Sequence, residues 1–564
     1  MRRLLSAIFL LALSNPVTAA PATAPKNRTQ DLAEISIATL HQAYLEHRLT
    51  VREAVDGYLA RIERYNGIYR PLEAVYATSA RAQADTIDRQ LRAGHVPEGA
   101  LWGVPLVIKA NTAIAGEVTS AGWSGYTLPG KELVASKDAT VVARLKAAGA
   151  ILLGHSNMPD LANSDTNRSS AFGRTGNAFD PRYSPGGSSG GTVTSVSGNL
   201  ALAGTGTDTG NSIRMPAATS ALVGLFPTRG RVSIAGIAPL DWLLDNTGPI
   251  TRTVEDAARL LDVMAGRDDA DPVTAESAGH DEAGSYTRYL KRDALKGKRF
   301  GVPAFILAGT GIPFHGVPAE IPDAIAAERA AAAAMPLHPA TRRVFERALE
   351  ELRAQGATIV TVPDLADDFA KSATRIATYP YVREGTERFL AGYGPAYYRS
   401  LAEYEGLTGQ AGFAAVTGEE EANRDFGERH LTQRPITATA AYNADVVAPR
   451  EHARALYEAA LDRLHLDGLV YPAIQMPPMD ETLPQDGKLS EGPHSATGWV
   501  NMLGVPAIVV PGGWYANGLP FGLEFSARRW HDGEMLGWAY AYEQATHHRH
   551  APTLATQGLV SGEP

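Results

Sequence analysis

Two stretches of this chain put a helical stripe, a glycine stop and a short apolar run in immediate succession. The first is "KDATVVARLKAAGAILLG", and the second is "PATRRVFERALEELRAQGATIVTV". In the first, Val141, Val142 and Leu145 recur at helical spacing, Asp138 stands where an N-cap is expected, and Gly149 ends the helix. A strand is predicted from Ala150 to Leu153. A helix that stops on glycine and turns at once into a buried strand is an α/β unit. Such units fold by laying strands side by side under helices. "LWGVPLVIKAN" reads as a buried strand running into a loop, "DGLVYPA" as another. "GVPAIVVPGGWYANGLPFGLEFSAR" places Asn517-Gly518 between two apolar runs, a hairpin signal. Residues 31–66 read as helices, and "GEMLGWAYAYEQATHHRH" as a terminal helix. Elements alternate without a linker, so residues 31–552 are expected to form one large α/β domain, a central mixed sheet covered by helices on both faces.

Composition narrows the classes. The chain has 564 residues, 44% of them hydrophobic, enough for a large core. Its formal charge of −9 and the lack of a basic block give no footprint for nucleic acid or an anionic membrane. Cysteine is absent, which excludes thiol nucleophiles, thiolate metal sites and disulfides. Arg2 and Arg3 precede the apolar run Leu4 to Leu13, and "VTAA" supplies small residues near Ala19 and Ala20. That is the order of a secretory signal peptide, expected over residues 1–20, with a disordered entry at 21–30. No stretch is long enough for a membrane span. The mature protein is therefore expected to be secreted or periplasmic, with a tail at 553–564.

Two regions break the pattern. Residues 304–339 mix Gly and Pro with an alanine-rich helix, Ile325 to Met335, and read as an insertion or surface flap. Residues 366–445 are irregular and aromatic-rich, with Tyr379, Tyr381, Phe389, Tyr393, Tyr397 and Tyr398. Those rings suit either a pocket wall or ordinary core packing.

The chemistry concentrates in "SPGGSSGGTVTS", Ser184 to Ser195. As a phosphate loop it lacks the lysine that follows the glycines. "GGSSG" fits a nucleophile elbow in form, with Ser188 central, but a buried strand should enter such a serine, and "NAFDPRYSP" is polar and broken by prolines. S-x-x-K and H-E-x-x-H are both missing. "HHRH" at 547–550 is a helix end before it is a metal site. What remains is a set: Ser188 and Ser189 in one glycine loop, Ser212 in "GTDTGNSIRMP", and Lys109 at the end of an apolar strand in "GVPLVIKAN".

This set resembles the amidase signature family. The family's G-G-S-S-G-G stands here at Gly186 to Gly191, its D-x-G-x-S-I-R at Asp208 to Arg214, and its lysine segment at Gly103 to Lys109. Similarity runs over about residues 30–550, through "GLFPTRGRVS" and "GPITRTVEDAARLLDVMAG" as well. The resemblance implies a Ser–cis-Ser–Lys triad: Ser212 as nucleophile, Ser188 as proton relay and Lys109 as base. Burial lowers a lysine from its free value of about 10.4, and a hydroxyl both donates and accepts, so such a relay is chemically sound. The main-chain N–H groups of Thr209, Gly210, Asn211 and Ser212 are the expected oxyanion donors. Ser189, Asp208 and Arg214 are expected to brace the loops, and Ala162, Asn163 and Ser164 to line the substrate pocket. Two positions depart from the family pattern: Ala110 stands where an Asp usually follows the lysine, and Asn211 where a second glycine usually precedes the nucleophile.

The implied activity is hydrolysis of a carboxylic acid amide through an acyl-enzyme on Ser212, with no metal or cofactor. The expected partner is a small-molecule amide. Other readings stay open: an esterase or peptide amidase using the same triad, an exported solute-binding protein without catalysis, or one component of an amidotransferase. The leader weighs against the last of these. The sequence does not fix an oligomeric state.

Overall fold

The computed structural model describes residues 32–280, 284–363, 365, 369–417, 434–482 and 493–555. The leader, the entry segment and residues 556–564 of the tail lie outside them. Thirteen strands are present among the described residues: β1 (Leu72–Val75), β2 (Pro105–Lys109), β3 (Ile151–Ser156), β4 (Arg168–Ser169), β5 (Gly173–Arg174), β6 (Ala203–Asp208), β7 (Val223–Phe226), β8 (Asn246–Thr251), β9 (Arg299–Pro303), β10 (Thr358–Val362), β11 (Gly468–Pro472), β12 (Ala507–Trp514) and β13 (Pro520–Ser526). Eleven form one sheet in the order β1-β3-β2-β6-β8-β7-β12-β13-β11-β9-β10, and β4 pairs with β5 alone. The sheet is mixed: β3, β2 and β6 run parallel, as do β11, β9 and β10, while β8, β7, β12 and β13 pair antiparallel between them. Every residue of β2, β3, β6, β7 and β8 is buried, which requires cover on both faces.

Local signals account for most elements. The helix Val51–Tyr69 opens on a capping box in which Thr50 and Glu53 satisfy each other's main-chain N–H groups. The helix Thr140–Ala147 buries the stripe Val141, Val142 and Leu145, and Gly149 follows with φ +85°. Asp138 is not its N-cap. That position belongs to Ala139, and Asp138 instead accepts from the Ala115 N–H and pairs with Lys146. The strand after it is longer than expected, because β3 continues through Ser156 beside β2. The Asn517-Gly518 hairpin joins β12 to β13 as predicted, with Gly518 at φ +80°.

In the 304–339 stretch the helix spans Asp323–Ala332. The stretch is stitched to the body: the Val317 N–H donates to the Thr374 carbonyl (2.7 Å), the Thr378 N–H to the His315 carbonyl (3.0 Å), and His315 Nδ1 lies 2.9 Å from Asp241 Oδ2. Of the aromatics between 366 and 445, Tyr379, Tyr381, Phe389, Tyr393 and Tyr398 are buried in the core, and Tyr397 is exposed. At the C-terminal helix end, His548 pairs with Glu351, Arg549 with Glu34, and His550 stacks on Trp514. No group of metal-binding side chains occurs among the described residues. No helix among them is long and apolar enough to cross a membrane.

Candidate active site

Lys109 ends β2, and Asp208 ends the neighbouring parallel strand β6, so the carboxyl ends of both strands open at one edge. In open α/β sheets that edge is where ligands bind. The Lys109 side chain reaches Thr207 on β6. Its Nζ lies 2.8 Å from Thr207 Oγ1 and 3.2 Å from the Thr207 carbonyl. Its third partner is Ser188 Oγ at 2.6 Å. Asn111 Nδ2 donates to the same Thr207 hydroxyl (3.1 Å). Lys109 and Ser188 are wholly buried. Burial pushes the Lys109 ammonium down to about 7, although Asp208 and Asp245 pull the other way. A lysine in that state is half free base near neutrality.

Ser188 sits between β5 and the buried helix Gly190–Ser197. No strand enters it among the described residues, so the elbow geometry is absent. The bond between Gly187 and Ser188 is cis, as the resemblance implied. A side chain at Gly187 would strike the Ser164 and Thr166 carbonyls at 2.5 and 2.4 Å, so only glycine lets the 164–166 loop lie on this one. The helix that follows carries hydroxyls into the core and pairs them: Thr192 with the Thr205 carbonyl, Thr194 with that of Gly176, and Ser197 with that of Ser220. Ser189 ties the two serine loops together. Its N–H donates to the Ser212 carbonyl (3.2 Å), and its hydroxyl to that of Thr207 (3.2 Å).

Ser212 belongs to a loop closed by Arg214, a wholly buried side chain. Arg214 Nε donates to Asp208 Oδ2 (3.0 Å), Nη1 to Glu524 Oε1 (2.7 Å), and Nη2 to Asn501 Oδ1 (2.6 Å) and the Gly210 carbonyl (2.8 Å). Asp208 accepts in return from the Ile213 N–H (3.0 Å) and from Asn501 Nδ2 (2.9 Å). Burial disfavours the Asp208 carboxylate, but the Arg214 charge and the hydrogen bonds from Arg214, Ile213 and Asn501 together outweigh it and hold the group below its ordinary value. Burial pushes Glu524 up to about 7 against the same guanidinium. Thr209 Oγ1 donates to Asp245 (2.6 Å), a carboxyl that burial raises to about 6.

Held in this way, Gly210, Asn211 and Ser212 line a cavity of about 350 Å3. Among the described residues their N–H groups are paired with no protein acceptor, and the Ser212 hydroxyl, on a residue 5% exposed, has no hydrogen-bond partner. Ala162, Asn163 and Ser164 line the same cavity. Leu161 and Ala162 carry the chain past the site at φ +47° and +64°, costing about 1–3 kcal/mol each. The 304–339 stretch supplies Thr310, Gly311, Ile312, Phe314, Ala333 and Met335 to the wall, whereas residues 366–445 supply none of the described lining. Ala110 is buried and bonds by its main chain alone, to the Ser156 carbonyl and the Ala121 N–H.

Sequence reasoning did not find Thr207, Asn111, Asp245, Asn501, Glu524 or the cavity residues Asp165 and His494. Thr207 carried a usable signal, since it precedes the aspartate of the nucleophile motif on the strand beside the lysine. Asn111 and Asp165 lie one or two residues beyond positions that the sequence did single out, Lys109 and Ser164, whereas Asp245, Asn501, Glu524 and His494 reach the site from distant segments.

The family model for Amidase matches residues 53–316 and 324–536. A glutamyl-tRNA(Gln) amidotransferase subunit of Symbiobacterium thermophilum is 32% identical over 541 residues, covering 93% of this chain and 99% of the relative. The corresponding protein of Halorhodospira halophila is 34% identical over 535 residues, covering 92% and 98%. The native peptide amidase of Stenotrophomonas maltophilia superposes with a TM-score of 0.73 at 30% identity, over 93% of this chain and 99% of that one. The matched length and the geometry at Lys109, Ser188 and Ser212 lead to one conclusion: the chain belongs to the amidase signature family.

Proposed function

We propose that this protein is an exported hydrolase that cleaves the C–N bond of a small carboxylic acid amide through an acyl-enzyme on Ser212. The observation that carries the reading is the 2.6 Å contact between Lys109 Nζ and Ser188 Oγ in a wholly buried setting, in a loop whose Ser189 N–H is bonded to the carbonyl of the cavity-lining Ser212. Lys109, as free amine, takes the Ser188 proton, Ser188 takes that of Ser212, and the Ser212 oxygen attacks the amide carbonyl. The oxyanion forms against the N–H groups of the 209–212 loop. The relay returns its proton to the leaving ammonia or amine. Water then attacks the ester by the same route and releases the acid.

The relatives are named for a glutamyl-tRNA(Gln) amidotransferase and for a peptide amidase. The apolar leader at residues 1–20 favours a hydrolase that works alone outside the cytosol over a component of an intracellular assembly. The test is labelling with an alkyl fluorophosphonate and mapping of the adduct by mass spectrometry. An adduct on Ser212 that disappears in Lys109→Ala is expected. An adduct on Ser188, or none, would overturn the assignment.

A further inference from the structure

The cavity lining combines apolar and polar residues. Leu240, Ile312, Phe314, Ala333, Met335 and Ala496 supply its larger apolar groups. Among the described lining residues Asp165 is the only carboxylate, with His494 the only other titratable group.

Asp165 is fixed between the two serine loops. Its backbone lies on Gly187, where an added Cβ would meet the Asp165 carbonyl carbon at 2.9 Å. The Ser164 hydroxyl braces the turn by accepting from the Thr166 N–H (3.1 Å). The Asp165 side chain reaches the other loop, where its Oδ1 accepts from Asn211 Nδ2 (3.1 Å), next in the chain to Ser212. Oδ2 lies 3.6 Å from His494 Nδ1, too far for a hydrogen bond. Asp165 keeps 29% of its side chain exposed. One carboxylate oxygen is thus hydrogen-bonded, and the other has the His494 imidazole at 3.6 Å as its neighbour, on a residue that lines the cavity.

We infer that Asp165 is a specificity-determining residue that selects amides bearing an ammonium group near the scissile carbonyl. This rests on the amide-hydrolase reading and deepens it. A carboxylate held rigidly beside the nucleophile loop pairs with a cationic donor at little ordering cost. A neutral substrate gives Oδ2 no charge-assisted partner of this kind. The apolar residues of the same lining take a hydrocarbon side chain, so the substrate class is an α-amino amide with an apolar side chain. Asn211 links this selection to the nucleophile, because it orients Asp165 from the residue next to Ser212.

The experiment compares L-leucinamide with N-acetyl-L-leucinamide at pH 7. The wild-type protein is expected to favour the ammonium form in kcat/KM by about tenfold or more, and Asp165→Asn to remove that ratio. The same two amides are then titrated calorimetrically into Ser212→Ala, with and without Asp165→Asn. The affinity ratio is expected to follow the same pattern. A ratio near unity in the wild type, an unchanged ratio in Asp165→Asn, or equal losses on both amides would overturn the inference. The binding arm needs no turnover, so a preference seen in Ser212→Ala without Ser212 labelling would refute the hydrolase and leave the cation site standing.

Discussion

Lys109 Nζ is bound by two hydroxyls of neighbouring segments: Ser188 Oγ at 2.6 Å and Thr207 Oγ1 at 2.8 Å. The two partners pull in different directions. In the proposed relay Ser188 hands a proton to the amine, whereas an acceptor at Thr207 favours the ammonium. Burial decides the balance and brings the amine to about 7.

The first prediction follows from that value. Only the free amine can act as base, so kcat/KM on N-acetyl-L-leucinamide, whose charge does not change, should rise with pH through an ionisation at about 7 and level above it. An unshifted lysine would still be rising at about pH 10. The pH profile of kcat/KM checks this, and Lys109→Ala should be inactive across it.

Thr207→Val should move that ionisation downward. The hydroxyl accepts from Nζ, and removing it destabilises the charged form. The acidic limb should shift down by about one unit, with a fall in the plateau as the amine loses its second anchor. A limb that moves up, or a plateau that does not fall, would assign Thr207 no part in holding the base.

The ion pair behind the nucleophile loop sets a stability prediction. Arg214, Asp208 and Glu524 are buried together, and each nitrogen of Arg214 is bonded. Arg214→Met leaves two buried carboxylates without their cation and should cost about 3–5 kcal/mol in urea denaturation. Arg214→Lys should recover little of it, since a point charge cannot reach Asp208, Glu524 and Asn501 at once.

What could be seen in the sequence depended on how close together the residues lie in the chain. Lys109, Ser188 and Ser212 each sit inside a contiguous motif, and Val141, Val142 and Leu145 mark their helix by spacing alone. Asp138 misled because a carboxylate before a helix reads as a cap, yet a loop N–H at Ala115 and the Lys146 ammonium held it elsewhere. Asp165 and Phe314 lay beside or within stretches that the sequence singled out, but no motif marked them, and His494 had no local signal. They converge only after the sheet has folded, and a lone Asp in "NSDTNRSS" looks like a turn residue. The aromatics of 366–445 left two readings open because a buried ring and a pocket ring have the same sequence appearance.

Gly210 offers the last prediction. It contributes its carbonyl to Arg214 and stands two residues before Ser212, beneath the ring of Phe314. An added Cβ would meet Phe314 Cε2 at 2.6 Å and Cδ2 at 2.9 Å. Gly210→Ala must therefore push the ring away or shift the loop that carries the nucleophile, a conflict costing about 1–3 kcal/mol. Displacement of the loop misaligns Ser212 and its N–H donors, so kcat should fall by about tenfold or more. Phe314→Ala makes room for the new methyl group. The double variant Gly210→Ala, Phe314→Ala should therefore turn over faster than Gly210→Ala alone, although Phe314→Ala by itself strips apolar wall from the cavity and slows the reaction. A double-mutant cycle on kcat reads this directly, and additive losses would mean that the ring and the loop do not meet during catalysis.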